Sequence, residues 1–391
     1  MTNTNIKVVS NVNQSNDSQH IFRRGIDSGY VQLGERLGRP DADAITRLWQ
    51  ANHPVFIPEV LTDKLSEFAG AIAQSRLLYK SVLNEEAVDD ILDAPPYSEF
   101  FGERFQILSS RFDEADRQEI ISVDFDVMDG DTLLMEDIWL RISWLSYHDE
   151  DESIRFRFSF GMENFDDVST DPERQLGAAE LSQCVFPESA IITQNPILNE
   201  LVSNTINTKT FNFVERIVYF NAPNGGAQFH HDAEKGHLGV VYAQITGETF
   251  WIALSRAELI DEVIRFASSE NNLTELKTEI LDKTVAEQNE VSEITEVSTP
   301  EDKIPHFIAS LKDKELISEL LDDPANEEIS ALLNESKTFF DQLVGSGFAY
   351  HLTPGDIILL PQASMDNCAW HSVFCIGDEA GEALSFAIKP V

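Results

Sequence analysis

Cysteine is scarce. Cys184, Cys368 and Cys375 are the only three in 391 residues. They are odd in number and show no Cys-x-x-Cys spacing. A disulfide framework and a zinc ribbon are therefore excluded, and a reducing, cytoplasmic setting is expected. Long hydrophobic runs are also missing, so no membrane span is expected. Residues 1–20 are rich in Asn, Ser and Gln with no apolar stretch, which reads as a disordered tail and not as a signal peptide. Positive charge is short as well: 28 Lys and Arg stand against 68 Asp and Glu, a formal net charge of −40. A surface so acidic repels phosphate backbones, and the sequence shows no basic cluster, so nucleic acid is not an expected partner. Hydrophobic residues nevertheless make up 42% of the chain, the content of a globular protein.

What is present falls into four parts. After the tail, residues 21–210 read as helices and strands packing on a core. Helical spacing is seen at Ala44–Trp49 and Thr62–Leu83, and Val55–Ile57 between prolines reads as an edge strand. Ile120–Val127, Trp139–Tyr147 and Ser153–Phe160 alternate as half-buried strands, with the acidic stretch from His148 to Glu152 as an exposed turn. Residues 211–255 and 346–391 carry most of the remaining strand pattern. Between them, residues 256–345 are acidic with apolar residues at helical spacing, such as Leu259, Val263 and Phe266. This insertion reads as a helical cap or a homodimerisation element. A lid over an active site is the alternative function for so long an insertion.

The chemistry concentrates at His230 and Asp232, read with His371. Residues i and i+2 of an extended segment point to one side, so His230 and Asp232 can grip one ion while His231 points away. His371 is the candidate third ligand, from another strand. Two histidines and a carboxylate on one face form the facial triad of non-haem Fe(II) oxygenases, which leaves coordination positions open for a cosubstrate and O₂. Zinc would favour a tetrahedral site with one water. His237 is the competing third ligand, although a lone loop histidine is more often structural.

The order of pieces resembles the Jumonji-C branch of the cupin-fold 2-oxoglutarate oxygenases. The matching residues are Phe229-His230-His231-Asp232; Ala243-Gln244-Ile245-Thr246-Gly247-Glu248-Thr249-Phe250-Trp251-Ile252; Pro354-Gly355-Asp356-Ile357-Ile358-Leu359-Leu360-Pro361; and Trp370-His371-Ser372-Val373. The resemblance covers residues 211–255 and 346–391. It implies an α+β chain with a double-stranded β-helix (cupin or jelly-roll) core, N-terminal helices and the inserted acidic helical region. It also implies Fe(II) held by His230, Asp232 and His371, with 2-oxoglutarate as cosubstrate. The expected activity is oxygenation with O₂, hydroxylating a C–H bond of a small molecule or of a peptide or protein side chain. Halogenating relatives lack the carboxylate ligand, so Asp232 favours hydroxylation.

One departure stands out. The family often anchors the far carboxylate of 2-oxoglutarate on a lysine after Gly247, and here Glu248-Thr249-Phe250 carries none. Thr249 stays a candidate contact. Lys389 with Ser385, on one face of the last strand by alternation, is the expected substitute anchor, with Arg216 the second choice. The missing lysine keeps two alternatives open: a cupin metalloenzyme that does not use 2-oxoglutarate, and a non-enzymatic cupin-fold scaffold.

Overall fold

The computed structural model describes residues 6–8, 18–115, 118–146, 148, 151–161, 171–234, 236–278 and 300–391. The C-terminal strands are β9 (Phe211–Asn221), β10 (Gly226–His230), β11 (Gly239–Gln244), β12 (Glu248–Ser255), β13 (Ala349–Leu352), β14 (Ile357–Pro361), β15 (Ala369–Ile376) and β16 (Gly381–Pro390). Successive strands mostly switch between two antiparallel sheets. The smaller sheet has the order β10-β15-β12-β13. In the larger, β14-β11-β16-β9 run side by side.

Side chains follow the period-2 rule closely. In β11, Val240 and Tyr242 face the small sheet and Val241 and Ala243 face outward. In β12, Trp251 and Ala253 face the large sheet, while Phe250, Ile252 and Leu254 face away from it. A narrow core between the sheets is thus flanked by two broader ones. These strands read as near-continuous apolar runs because both of their faces are buried.

The large sheet does not stop at β9. It continues through β8 (Ile154–Phe160), β7 (Thr132–Trp144), β6 (Gln118–Asp129) and β5 (Phe105–Ala115), and β4 (Val55–Ile57) closes its other edge beside β14. The N-terminal region is therefore part of the core sheet and not a separate layer upon it. Phe156 and Phe158 of β8 share the outer core with Val218 and Phe220 of β9, which is the physical reason for the continuity. On the other face, alternation lines up Arg155 and Arg157 of β8, Arg141 of β7 and Arg111 of β5. A row of basic residues thus exists that the linear sequence does not show.

The helical insertion returns to the strand it left: β12 and β13 pair from Thr249–Leu352 to Ile252–Ala349. Its helices Arg256–Ala267, Pro300–Ser310, Lys314–Asp322, Glu327–Asn334 and Lys337–Gly345 bury Leu259, Val263, Phe266, Ile317, Leu332 and Phe339 against the outer face of the small sheet. Ser255 opens the first of them with a capping box to Glu258. The polar stretch Lys283–Lys303 falls largely outside the described residues.

The expected tail also contains structure. Strands β1 (Ile6–Val8) and β2 (Ser18–Arg23) flank β3 (Ile26–Leu33) in a third sheet. The other residues of 1–20 lie outside the described ones. The acidic turn is not simply exposed either. Asp151 is buried, accepts hydrogen bonds from Ser146 Oγ at 2.6 Å and Ser153 N at 3.0 Å, and lies 3.6 Å from Arg24 Nε.

Candidate metal centre

Strands β10 and β15 are neighbours in the small sheet, and His230 is the direct partner of His371 across them. The approach is close at Gly226, where φ is +127° and a Cβ would meet the Val373 carbonyl oxygen at 2.1 Å. Only glycine fits there. The register then shifts between Ala227 and His230, turning the histidine toward the cleft between the sheets.

The result is a compact donor set. One ligand atom from each of His230, Asp232 and His371 lies within 4.8 Å of the other two. Asp232 divides its oxygens: Oδ1 is 3.5 Å from His230 Nε2 and Oδ2 is 3.5 Å from His371 Nε2. These separations exceed hydrogen-bond lengths and leave the lone pairs directed at common space. His230 Nδ1 lies 2.7 Å from the Gln228 carbonyl oxygen. Donation to that acceptor makes Nε2 the metal-facing nitrogen. Burial, helped by the nearby His230, pushes the His371 pKa down to about 3, so its imidazole is neutral and its lone pair available. Two imidazoles and one carboxylate suit an Fe(II)-type ion, so the residues fit the metal. His231, as alternation requires, faces the other way and meets the Trp370 ring edge-on at 5.1 Å.

Behind His371 runs a buried polar ladder. Trp251 stacks on the His371 ring at 5.3 Å and 17°. Its indole N–H donates to Thr249 Oγ1 at 3.0 Å, and that hydroxyl donates to Gln244 Oε1 at 2.7 Å. Tyr242 Oη donates to the same Gln244 oxygen at 3.4 Å and accepts from Asn221 Nδ2 at 3.1 Å. The expected contact Thr249 is thus wholly occupied in orienting Trp251.

A second brace comes from residues that the sequence did not single out. Arg23, at the end of β2, is buried behind the small sheet. Its guanidinium donates to the Ala227 carbonyl and to Ser372 Oγ, and lies 4.3 Å over the Phe374 ring. It also donates to Asn334 Oδ1 at 3.2 Å, and that oxygen accepts from Phe229 N–H at 2.8 Å. Arg23 and Asn334 therefore clamp the residues beside both histidines. Burial lowers the Arg23 pKa to about 9, which still leaves it charged near neutrality. No sequence signal marks either residue, because their partners lie about 100 to 350 positions away.

The cleft around the cluster is small, about 30 Å³, and lined by Tyr219, Asn221, Tyr242, Trp251, Ser385 and Leu145 among others. Ser385 faces it as alternation requires. Lys389 does not. Its ammonium donates to Gln175 Oε1 at 3.2 Å, on the helix Pro172–Val185. Arg216 points to the outer face, where its guanidinium donates to the Ala179 carbonyl at 2.7 Å and lies 5.4 Å from the Phe386 ring. The β-bulge between β9 and β16 separates these residues from simple alternation. His237 is buried with Nδ1 3.8 Å from Glu234, apart from the three-ligand group. Among the described residues, no lysine or arginine lines the cleft. By register Arg155 lies opposite Tyr219, with its Nε donating to Ser143 Oγ at 2.8 Å. Among the described residues, none of those lining the cleft comes from the helical insertion, whose described helices back the small sheet.

No protein-family model and no curated protein matches the sequence. Solved structures do. One described as an oxidoreductase of the 2OG-Fe(II) oxygenase family from Burkholderia pseudomallei matches over 91% of this chain and 93% of its own, with 8% identity and a TM-score of 0.30. The Escherichia coli ribosomal oxygenase YcfD matches over 78% of this chain and 44% of its own, with 10% identity and a TM-score of 0.21. A structure of YcfD with cobalt and 2-oxoglutarate matches with 11% identity and a TM-score of 0.21 over the same shares. The chain spans less than half the length of these E. coli chains. At such TM-scores the likenesses carry no functional argument. Among the described residues, no helix is long and apolar enough to cross a membrane.

Proposed function

We propose that the chain is an Fe(II)- and 2-oxoglutarate-dependent oxygenase, built on a double-stranded β-helix formed by β9–β16, that hydroxylates a C–H bond. One observation carries this reading: strands interleaved between two sheets bring His230 and His371 into direct register, with the two oxygens of Asp232 each 3.5 Å from one imidazole. Bound iron would supply activation of O₂, and the overall change is R–H + O₂ + 2-oxoglutarate → R–OH + CO₂ + succinate.

The protein's own part is positional. His230, Asp232 and His371 hold the ion on one side only. Trp251 and the Arg23–Asn334 brace keep the imidazoles from turning. The aromatic walls keep bulk water out of the cleft. Tyr219, Asn221, Tyr242 and Ser385 offer the polar contacts for the cosubstrate, and Arg155 is its carboxylate partner in place of Lys389. At about 30 Å³ the cleft is smaller than 2-oxoglutarate, so the reading requires it to open on binding.

The test is anaerobic addition of Fe(II) and then 2-oxoglutarate. A visible charge-transfer band, followed by succinate when O₂ enters, is expected. Absence of both contradicts the reading. The lack of a lysine or arginine lining the cleft favours a second reading, a metal-dependent oxidase or dioxygenase without 2-oxoglutarate. Substrate oxidation undiminished in the absence of 2-oxoglutarate selects it.

A further inference from the structure

The inner face of the large sheet, the face that borders the cleft, continues past the small sheet. The core between the two sheets takes residues from β4, β9, β11, β14 and β16 of the large sheet and none from β5 to β8. One cross-strand register runs outward from the cleft along this face. Tyr242 of β11 lies opposite Ser385 of β16, Ser385 opposite Ile217 of β9, and Ile217 opposite Arg157 of β8. Arg157 then lies opposite Arg141 of β7, Arg141 opposite Ser122 of β6, and Ser122 opposite Arg111 of β5. Tyr242 and Ser385 line the cleft beside the histidines. The register thus starts at the candidate metal centre and ends at the sheet edge. It holds three arginines and no acidic residue.

Like charges directly opposite on paired strands are unfavourable. Basic residues are also few, 28 against 68 acids. Arg141 and Arg157 nevertheless face each other, and both guanidiniums lie on Trp139, 4.1 and 6.0 Å from its ring. The indole is itself fixed by donating to the Gly161 carbonyl at 2.8 Å. Stacking sets the guanidinium plane and presents its N–H edge to carboxylates. The row already meets carboxylates of its own chain: Glu215 lies 3.2 Å from Arg157, and Asp124 lies 3.2 Å from Arg111. Each guanidinium has five N–H donors, more than one carboxylate uses. The side chains also reach solvent, with Arg111 55% exposed and Arg157 23% exposed.

We propose that this row docks an acidic peptide segment as the substrate, with the residue to be oxidised entering the cleft by Ser385 and Asp or Glu side chains resting on Arg157, Arg141 and Arg111. A strand spacing of about 4.8 Å puts Arg157 about 10 Å and Arg111 about 24 Å from Ser385. An extended peptide advances about 3.3 Å per residue, so the acids fall about three to seven residues from the target. The net charge of −40 does not prevent docking, because at physiological salt charges are screened beyond about 8 Å and the arginines in contact decide. A peptide places its charges only where the arginines are. Nucleic acid carries one on every nucleotide and would also meet Glu215 and Asp124 beside the row. Delivery to the metal rests on the oxygenase reading, whereas docking does not.

The test is fluorescence anisotropy of a labelled peptide, alternating Glu and Ser over about ten residues, titrated with the full chain. The same peptide with Gln for Glu, and an oligothymidylate of equal length, are the comparisons. Saturable binding of the Glu peptide is expected, weakened by added salt, with both comparisons weaker by about tenfold or more. Arg141→Glu should weaken the Glu peptide about tenfold or more. Lys314→Glu makes the same charge change on an exposed residue of the insertion and should leave binding within about twofold. If Arg141→Glu fails to fold by circular dichroism, Arg111→Glu on the exposed edge strand takes its place, with a loss of about threefold or more. Peptide binding without succinate formation contradicts the oxygenase reading alone, and succinate formation without peptide binding contradicts the docking alone. No saturable binding, equal binding of the Gln peptide, equal or tighter binding of oligothymidylate, or equal binding by the arginine variant and wild type overturns the proposal.

Discussion

Two groups of ionisable side chains flank the large sheet, and they are built differently. The histidine group sits in the cleft between the sheets with its strands braced from behind, through Trp251 on one side and Arg23 with Asn334 on the other. The glutamate pair, Glu188 and Glu382, sits on the outer face, where Glu188 accepts from Ser75 Oγ and the two carboxyls hydrogen-bond to each other. The first is an arrangement of lone pairs aimed at a cation and held by many hydrogen bonds. The second is a pair of carboxyls that support each other, with Ser75 as the one further side chain bonded to them. The difference teaches that support, more than burial, separates a preorganised metal site from an acid pair that holds a proton.

The largest effect should come from breaking the braced site itself. His371→Ala removes one of three ligands, and metal affinity should fall by more than about a hundredfold with turnover lost. Equilibrium dialysis against Fe(II) or Co(II) measures it. The brace comes next. Asn334→Ala leaves the Phe229 N–H and one arm of Arg23 without an acceptor. A loss of about 1–3 kcal/mol in urea unfolding is expected. Metal affinity should drop about tenfold, since the groups that orient ligands set their affinity.

The glutamate pair should show itself through pH. A carboxyl whose folded pKa is raised holds its proton longer in the native state than in the unfolded one. Stability therefore falls as pH rises from about 4.5, the ordinary value, up to the raised one. The loss is at most about 1.4 kcal/mol per pH unit for one proton. Glu382→Gln should flatten that slope relative to wild type in urea titrations between pH 5 and 8, pH values chosen to span this window. Unchanged slopes would show that the pair does not titrate as described.

The smallest effects separate what sequence order implies from what register imposes. Lys389→Ala should leave the 2-oxoglutarate KM within about twofold, because its ammonium rests on Gln175, whereas Arg155→Ala should raise it about tenfold or more. A large effect at Lys389 would restore the anchor read from alternation.

Much of the core was legible for a local reason. Apolar runs such as Val240–Ile245 and Ile357–Leu360, separated by Gly247 and Pro354-Gly355-Asp356, announce strands and turns from neighbouring residues alone. His230 and Asp232 needed only the period of a strand to be placed on one side. What stayed hidden depends on long-range register. Strand β5 carries Leu108 and Phe112 on an exposed edge, so its alternation is weak as a burial signal. Arg141 and Arg157 become neighbours only when β7 pairs with β8. Arg23 looks like an ordinary basic residue after a polar tail, and nothing local says that it will be buried under Phe374. Lys389 does not line the cleft because alternation gives a face but no distance, and a bulge intervenes before the strand reaches it.

The claim that most of this rests on is that His230, Asp232 and His371 hold one metal ion and leave positions open. Co(II) titration tests it most directly. The account predicts one equivalent bound with weak visible absorption, the mark of five or six ligands, and loss of that binding in His371→Ala. An intense tetrahedral spectrum, or binding equal in the wild type and His371→Ala, would contradict it.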